Sequence, residues 1–534
     1  MEVTMKKIIA AKQIHTLSPE MPTCKYMVIE DGWIVDLLDE LPIQDESDCE
    51  IISYSDHYIY PSFNDSHMHL VGYGAYLSQL RLDHTKSIAE LKERLNQYTQ
   101  SCEDDLIVGR SWNQDEFLEK RLPTRFDLDE VCDDRPVILY RVCGHIAVVN
   151  SFALKHYSIN KDLVVAGGMI DVEDGVLTGI LRENALSLVS RSAELEDIKK
   201  YILNAQKQLN AYGITSVQTD DLIMVSKERH EALLALFREM SHKNMLTVRI
   251  YQQSQFFTVE NFQKHIDLGY VQNSGDLFFK YGPLKILADG SLGARTAKLK
   301  SHYHDDPNAQ GLLIHSENEV LKLMECAFEN NIDVAIHGIG DYTIQFAVDA
   351  IKSLATKYPR QDARNAIVHC QIMDHKLMRE MGTHNISALV QPVFLEYDMT
   401  IVKNRVGESL AKTSYAYKSM LNYGIKLGFG SDAPVEDPNP FRSLYYAITR
   451  KRPDGLEYYT DESVTFDEAL RAFTVDAAYF SHEDHFKGRL LKKHLADFIV
   501  TREDLRQIKP MELLNVRPTA TYVGGVCVYE EKVM

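Results

Sequence analysis

The feature that most constrains this chain is a repeated step: a helical pattern with one apolar face, a stop, then a short apolar strand. Ile198, Ile202, Ala205, Leu209 and Tyr212 mark one helical face, Gly213 ends it, and ITSVQTD follows as a buried strand. The step returns as ENEVLKLMECAFENN before IDVAIHG, FAVDAIKSLATKYP before NAIVHC, and YKSMLNYG before IKLGFGSD. Such alternation puts the strands in one parallel sheet with helices outside it. An open doubly wound sheet shares the pattern, but no G-x-G-x-x-G or G-x-x-x-x-G-K-[ST] follows an early strand, and polar residues recur at strand C-termini. That edge is where a barrel gathers its functional groups, so the expected class is α/β, a (β/α)8 TIM barrel.

The two ends of the chain read differently. Residues 1–58 hold short β segments, such as 26–30 and 33–37 around Asp31-Gly32, and ADFIV and TATYVGGVCVYE close the chain in the same style. They are expected to pair into a composite β-sandwich of residues 1–58 and 485–534, flanking a barrel over 59–484. Residues 70–195 break the alternation with polar segments GRSWNQDEF and RVCGHIAVVNS, and read as an insertion after the first barrel strand, placed to cover the barrel mouth.

Composition sets the outer limits. With 534 residues, 45% hydrophobic and 25% charged, the chain can fill a large core. A formal net charge of -19 without a basic cluster argues against nucleic acid as a partner. No stretch approaches the roughly 18 apolar residues of a membrane helix, and the opening MEVTMKKIIAAKQ has too short an apolar core for a signal peptide, so no membrane partner and a cytoplasmic location are expected. Eight cysteines without a C-x-x-C pair point to reduced thiols rather than a disulfide framework. Barrels associate through outer helices, and a homodimer is the expected assembly.

The chemistry begins at PSFNDSHMHL, where His67 and His69 end an apolar strand one residue apart. Alternate strand side chains face one side, so both imidazoles point together. Imidazole binds divalent zinc, nickel, iron or manganese, although two histidines at a strand end are also commonly unrelated polar groups. Three further strand ends supply company: His337 closes VAIHGIGD, His369 closes AIVHCQ and Asp432 closes GFGSDAPV. Each alone suits a satisfied histidine or a capping aspartate; together they share one edge of the barrel. In LKILADGSLGARTA, Lys285 lies within a predicted strand and Asp289 at its end. A lysine inside a barrel needs a partner, either a salt bridge with a residue such as Asp289 or carbamylation by carbon dioxide, which turns the amine into a carboxylate able to bridge two cations.

The blocks PSFNDSHMH, LADGSLGARTA, HGIGDY, VHCQ, GFGSDAPV, DEALRAFTVDAA and LADFIV, in this order over nearly the whole chain, resemble the YtcJ-like branch of the amidohydrolase superfamily. The insertion motifs RVCGH and GVLTGILREN are similar to that family's corresponding blocks. The resemblance implies a metal-dependent hydrolase cleaving the C–N bond of a small amide, N-acyl, N-formyl or cyclic-amide substrate with metal-activated hydroxide. It implies two divalent ions, zinc or else iron, manganese or nickel: His67 and His69 with Asp432 on one, His337 and His369 on the other, carbamylated Lys285 between. Asp432 would also serve as general base. His145, then Arg141, are the expected donors to a developing oxyanion, with Trp112 and Asp289 as substrate contacts. An exposed loop position suits His145 equally, packing suits Trp112, and backbone capping suits Asp289. Ser62 and Asn64 replace a glycine and an apolar residue of the family pattern, Tyr342 an arginine and Cys143 an aspartate, without removing a ligand. Two alternatives stay open: a mononuclear deaminase with unmodified Lys285, and a catalytically silent metal-binding or regulatory protein.

Overall fold

The structure, a computed structural model, describes residues 6–41, 49–102, 104–141, 146–165, 168–189 and 193–532. They divide into two compact units, Gly74–Tyr201 and the chain on either side of it.

The larger unit is built on eight strands: Phe63–Met68 (β1), Ile214–Thr219 (β2), Arg249–Gln255 (β3), Phe279–Leu287 (β4), Val334–Gly338 (β5), Ala366–His369 (β6), Ser387–Val390 (β7) and Leu427–Phe429 (β8). They lie side by side in chain order, and each neighbouring pair is parallel. The last strand meets the first through backbone hydrogen bonds, His69 N–H to the Ala433 carbonyl and Asp432 N–H to the His67 carbonyl, each 2.8 Å. The result is the nearly closed (β/α)8 barrel expected from the sequence, and three of the chemically interesting residues sit in its seam.

The local causes of the αβ steps are visible. Helix Glu317–Glu329 starts at a reciprocal cap, with Ser316 Oγ accepting from Glu319 N–H at 3.3 Å and the Glu319 carboxylate accepting from Ser316 N–H at 2.9 Å. It buries Val320, Leu323, Met324 and Ala327, one helical face, and leads into β5. Helix Leu195–Ala211 stops before Gly213, whose φ of +81° admits the left-handed turn into β2. Two barrel strands lie outside the sequence reading, β3 and β7. All seven residues of β3, RIYQQSQ, are buried although five are polar, so hydropathy conceals it.

The chain ends share a seven-stranded sheet with Cys49–Pro61 in its middle, parallel to Lys6–His15 on one side and antiparallel to Phe498–Thr501 on the other. One apolar cluster takes Ile9, Ile14, Met27 and Ile34 from the N-terminal strands and Phe498, Val500 and Tyr522 from the C-terminal ones. Burying each such side chain contributes about 1.5–3 kcal/mol, and neither end of the chain supplies the whole cluster by itself. The strand Cys49–Pro61 runs almost directly into β1, so this sheet sets where the H-x-H segment enters the barrel.

Gly74–Tyr201 carries a separate six-stranded sheet with the strands Gly168–Glu173, Val176–Glu183, Ile146–Val149, Val137–Arg141, Ile107–Trp112 and Leu80–Arg81 in that order. Two segments read from sequence as polar loops are therefore partly strand: GRSW belongs to Ile107–Trp112 and IAVV to Ile146–Val149. No helix among the described residues is long and apolar enough to cross a membrane.

Candidate metal centre

His67, His69 and Asp432 each present one donor atom, all within 4.8 Å of one another. His67 Nε2 lies 3.4 Å and His69 Nε2 3.2 Å from the same Asp432 oxygen, Oδ1. Across the mouth, the His337 and His369 rings stand 4.4 Å apart, and the His369 and His67 rings 5.7 Å. Lys285 Nζ is 3.5 Å from His67 Nε2 and 97% of its side chain is buried from solvent, with 3% exposed. The barrel thus brings together the six residues singled out as ligands in the sequence, from β1 and the residue after it, β4, β5, β6 and the turn after β8.

Hydrogen bonds decide which ring nitrogen faces inward. His67 Nδ1 meets Gln253 Oε1 at 2.9 Å, His369 Nδ1 meets Gln391 Oε1 at 2.8 Å, and His69 Nδ1 meets the Asp220 carbonyl at 2.7 Å. The amide orientations are fixed from behind, because Gln253 Nε2 donates to the Ser66 carbonyl and Gln391 Nε2 to the Leu389 carbonyl. An acceptor at Nδ1 places the N–H there and leaves the Nε2 lone pair for the centre. His337 is reversed: Nε2 donates to the Gly290 carbonyl at 3.2 Å, which leaves Nδ1. Burial, with the nearby Lys285 for His67 and the nearby His369 for His337, holds both imidazoles well below their usual range, and burial holds His369 down to about 4. These are neutral lone-pair donors around a carboxylate, the donor set a divalent cation takes.

Asp432 is buried, which by itself favours its neutral form, yet its hydrogen bond from His69 and the surrounding imidazoles hold its carboxyl well below the ordinary carboxylate range. Burial likewise disfavours a charged His69, but Asp432 outweighs it and pushes the imidazole up to about 9. Both shifts express one demand: a negative oxygen among these rings needs a positive partner. His369 and Asp432 also hold left-handed backbone, φ +76° and +58°, a strained geometry characteristic of functional positions.

Residues not singled out in the sequence hold the seam. Asp65 is fully buried and accepts from His67 N–H and Ser431 N–H, both 3.1 Å, and from Ser431 Oγ at 2.6 Å; burial pushes its carboxyl up to about 7. Gly430 lies against it, where an added Cβ would fall 2.7 Å from His67 N and 2.8 Å from Asp65 Oδ1. Gly430→Ala is therefore expected to displace the His67 backbone and to weaken metal retention at least about tenfold, because shifts in the groups supporting a ligand cost about 10–100-fold in affinity. Competition with a chelating dye checks this, and unchanged retention would contradict the steric argument. Asp220, at the end of β2, is fully buried with both carboxylate oxygens lacking a hydrogen-bond partner, and Lys285 Nζ is 3.6 Å away.

The remaining expected site residues divide. Asp289 is fully buried and accepts three backbone N–H groups, from Lys298, Ile339 and Gly340 at 3.0–3.1 Å, which is the capping arrangement, and it stands 3.4 Å from His337 Nε2. Trp112 is wholly buried in the core of the inserted unit with Nε1 donating to the Leu139 carbonyl at 2.8 Å, so its ring is packed and its one polar atom is used. The Arg141 guanidinium is held by Asn113, Gln114 and Asp115 of its own unit. His145 and Cys143 lie outside the described residues.

A parallel eight-stranded barrel with histidines and an aspartate converging at its C-terminal mouth defines the class of metal-dependent barrel hydrolases. The chain belongs to the amidohydrolase family, which it matches over residues 50–529. It is 28% identical over 542 residues to YtcJ of Bacillus subtilis (strain 168), covering 99% of this chain and all of that one. The N-substituted formamide deformylase of Arthrobacter pascens is 24% identical over 501 residues, 90% of each chain. A metal-dependent hydrolase from Pyrococcus horikoshii OT3 has a solved structure that superposes with a TM-score of 0.79 at 27% identity, covering 95% of this chain and 99% of that one.

Proposed function

We infer that this amidohydrolase-family protein hydrolyses a C–N bond of the amide kind, in an N-formyl or N-acyl amine or a cyclic amide, with two zinc ions as its metals. The observation that carries the reading is the convergence of donor atoms of His67, His69 and Asp432 within 4.8 Å of one another, with the neutral rings of His337 and His369 beside them. His67, His69 and Asp432 would hold one ion, His337 and His369 the other, and a carbamylated Lys285 would serve both. The likeness to the formamide deformylase supports an N-formyl or N-acyl substrate.

Bound divalent ions would lower the pKa of water from about 15.7 toward about 7 and polarise the carbonyl under attack. The chain supplies the rest. Asp432, ionised among its imidazoles, accepts the proton from the attacking water at Oδ1 and returns it to the departing nitrogen, so the amine leaves neutral. Gln253 and Gln391 keep the His67 and His369 rings in the tautomer that faces the reaction.

Incubating purified protein with a panel of N-formyl and N-acyl amines and cyclic amides, before and after chelation and zinc return, tests the reading. Hydrolysis that chelation abolishes and zinc restores, at about two ions per chain, is expected; absence of hydrolysis across the panel overturns it. A second reading has its own support, since Lys285 as a plain amine already has Asp220 at 3.6 Å. One ion per chain and activity on amino-heterocycles would identify a mononuclear deaminase instead.

A further inference from the structure

We propose that Asp220 is the positioning residue of Lys285, the acceptor that holds Nζ at the metal centre and orients the carbamate formed there. The inference rests, for the carbamate, on the function proposed above.

Asp220 is fully buried, and neither of its carboxylate oxygens has a hydrogen-bond partner. A buried carboxylate in this condition requires a cation or an N–H donor. Lys285 Nζ, 3.6 Å from Oδ2, is in place to provide one, and its own side chain is almost wholly buried. The same residue reaches the centre a second time, because its backbone carbonyl receives the His69 Nδ1 proton at 2.7 Å. Asp220 therefore ties together β2, a histidine following β1 and the lysine of β4.

Carbamylation sharpens the requirement. The neutral amine attacks carbon dioxide, an N–C bond forms, one C=O π pair moves onto oxygen, and nitrogen releases one proton to solvent, giving Lys–NH–CO2⁻. One N–H remains on Nζ. Asp220 Oδ2 is the carboxylate oxygen beside it, and like charge turns the new carboxylate away from Asp220, so one hydrogen bond sets the rotation of the group. Asn at this position keeps an acceptor oxygen; Ala does not.

The experiment uses the full chain as wild type, Asp220→Asn, Asp220→Ala and Lys285→Ala, each checked for an unchanged thermal midpoint within a few degrees. Zinc retention is measured by competition with a chelating dye, and the carbamate by ¹³C NMR after equilibration with ¹³C-bicarbonate. Asp220→Ala is expected to weaken zinc retention by about 10–100-fold, as loss of a supporting hydrogen bond does, and to lose most of the carbamate signal. Asp220→Asn is expected to recover a substantial part of both. Wild-type zinc retention in Asp220→Ala overturns the positioning role, and so does an Asn variant as impaired as Ala. A wild-type protein without a ¹³C signal overturns the carbamylated-lysine reading alone, and zinc retention in the two Asp220 variants still decides the role of Asp220.

Discussion

Replacing His67 and His69 together with alanine is expected to yield a folded protein that has lost about one metal ion per chain and at least about 10⁴-fold in turnover. The size of the effect follows from the chemistry these rings would make possible on the proposed function: without the cation, water would return from a pKa near 7 toward about 15.7, and the nucleophile at neutral pH would disappear with it. The fold should survive, because the substitution releases acceptors rather than emptying a core. Gln253 Oε1 and the Asp220 carbonyl each lose one donor, at about 1–3 kcal/mol apiece if they stay dry. Elemental analysis and initial rates on the same preparations check both halves. Turnover within tenfold of the wild type would remove this centre from the reaction.

The largest effect on stability is expected far from the mouth, at Asp497→Ala. Asp497 receives Arg249 Nε at 2.7 Å and Nη2 at 2.9 Å, and its Oδ1 also accepts from Gly524 N–H at 2.7 Å. Both side chains of the ion pair are buried, with 4% and 5% exposure. The pair joins β3 to the C-terminal part of the terminal sheet, so the two ends of this unit depend on each other through it. Removing the carboxylate leaves a buried guanidinium without its counter-ion, which costs about 3–5 kcal/mol. Replacing both partners, as Arg249→Met with Asp497→Leu, should recover much of the loss, because the desolvation penalty goes with the charges. Thermal and urea unfolding of Asp497→Leu, Arg249→Met and the double variant measure the coupling; additive losses would show that the pair does not act as a unit.

The sequence made the barrel readable where its strands follow ordinary hydropathy. VAIHG and AIVH are apolar runs ended by a polar or small residue and LGF is one followed by Gly430, so β5, β6 and β8 announced themselves and brought His337, His369 and Asp432 with them. The strand β3 did not, because its buried glutamines mimic a loop, and with it went Gln253, which fixes the His67 tautomer. Asp220 was inside a recognised strand segment, ITSVQTD, and the signal for it was available: an aspartate at the C-terminal end of a barrel strand, the same position that drew attention to Asp432. In the inserted unit, Trp112 looked like a substrate contact amid polar neighbours, but a bulge at Ser111, φ +77°, breaks the alternation of Ile107–Trp112 and turns the indole into its own core.

What the sequence by itself determined was the class of fold and which six side chains converge at the barrel mouth, because residue type and strand-end position are local properties written in order along the chain. What only the tertiary structure decided was which nitrogen of each ring faces the centre, which carboxylate stands beside Lys285, and how Asp65 and Gly430 close the seam. Those outcomes depend on hydrogen bonds between side chains 22 to 366 positions apart, and a hydrogen bond exists only once folding has brought donor and acceptor to about 3 Å.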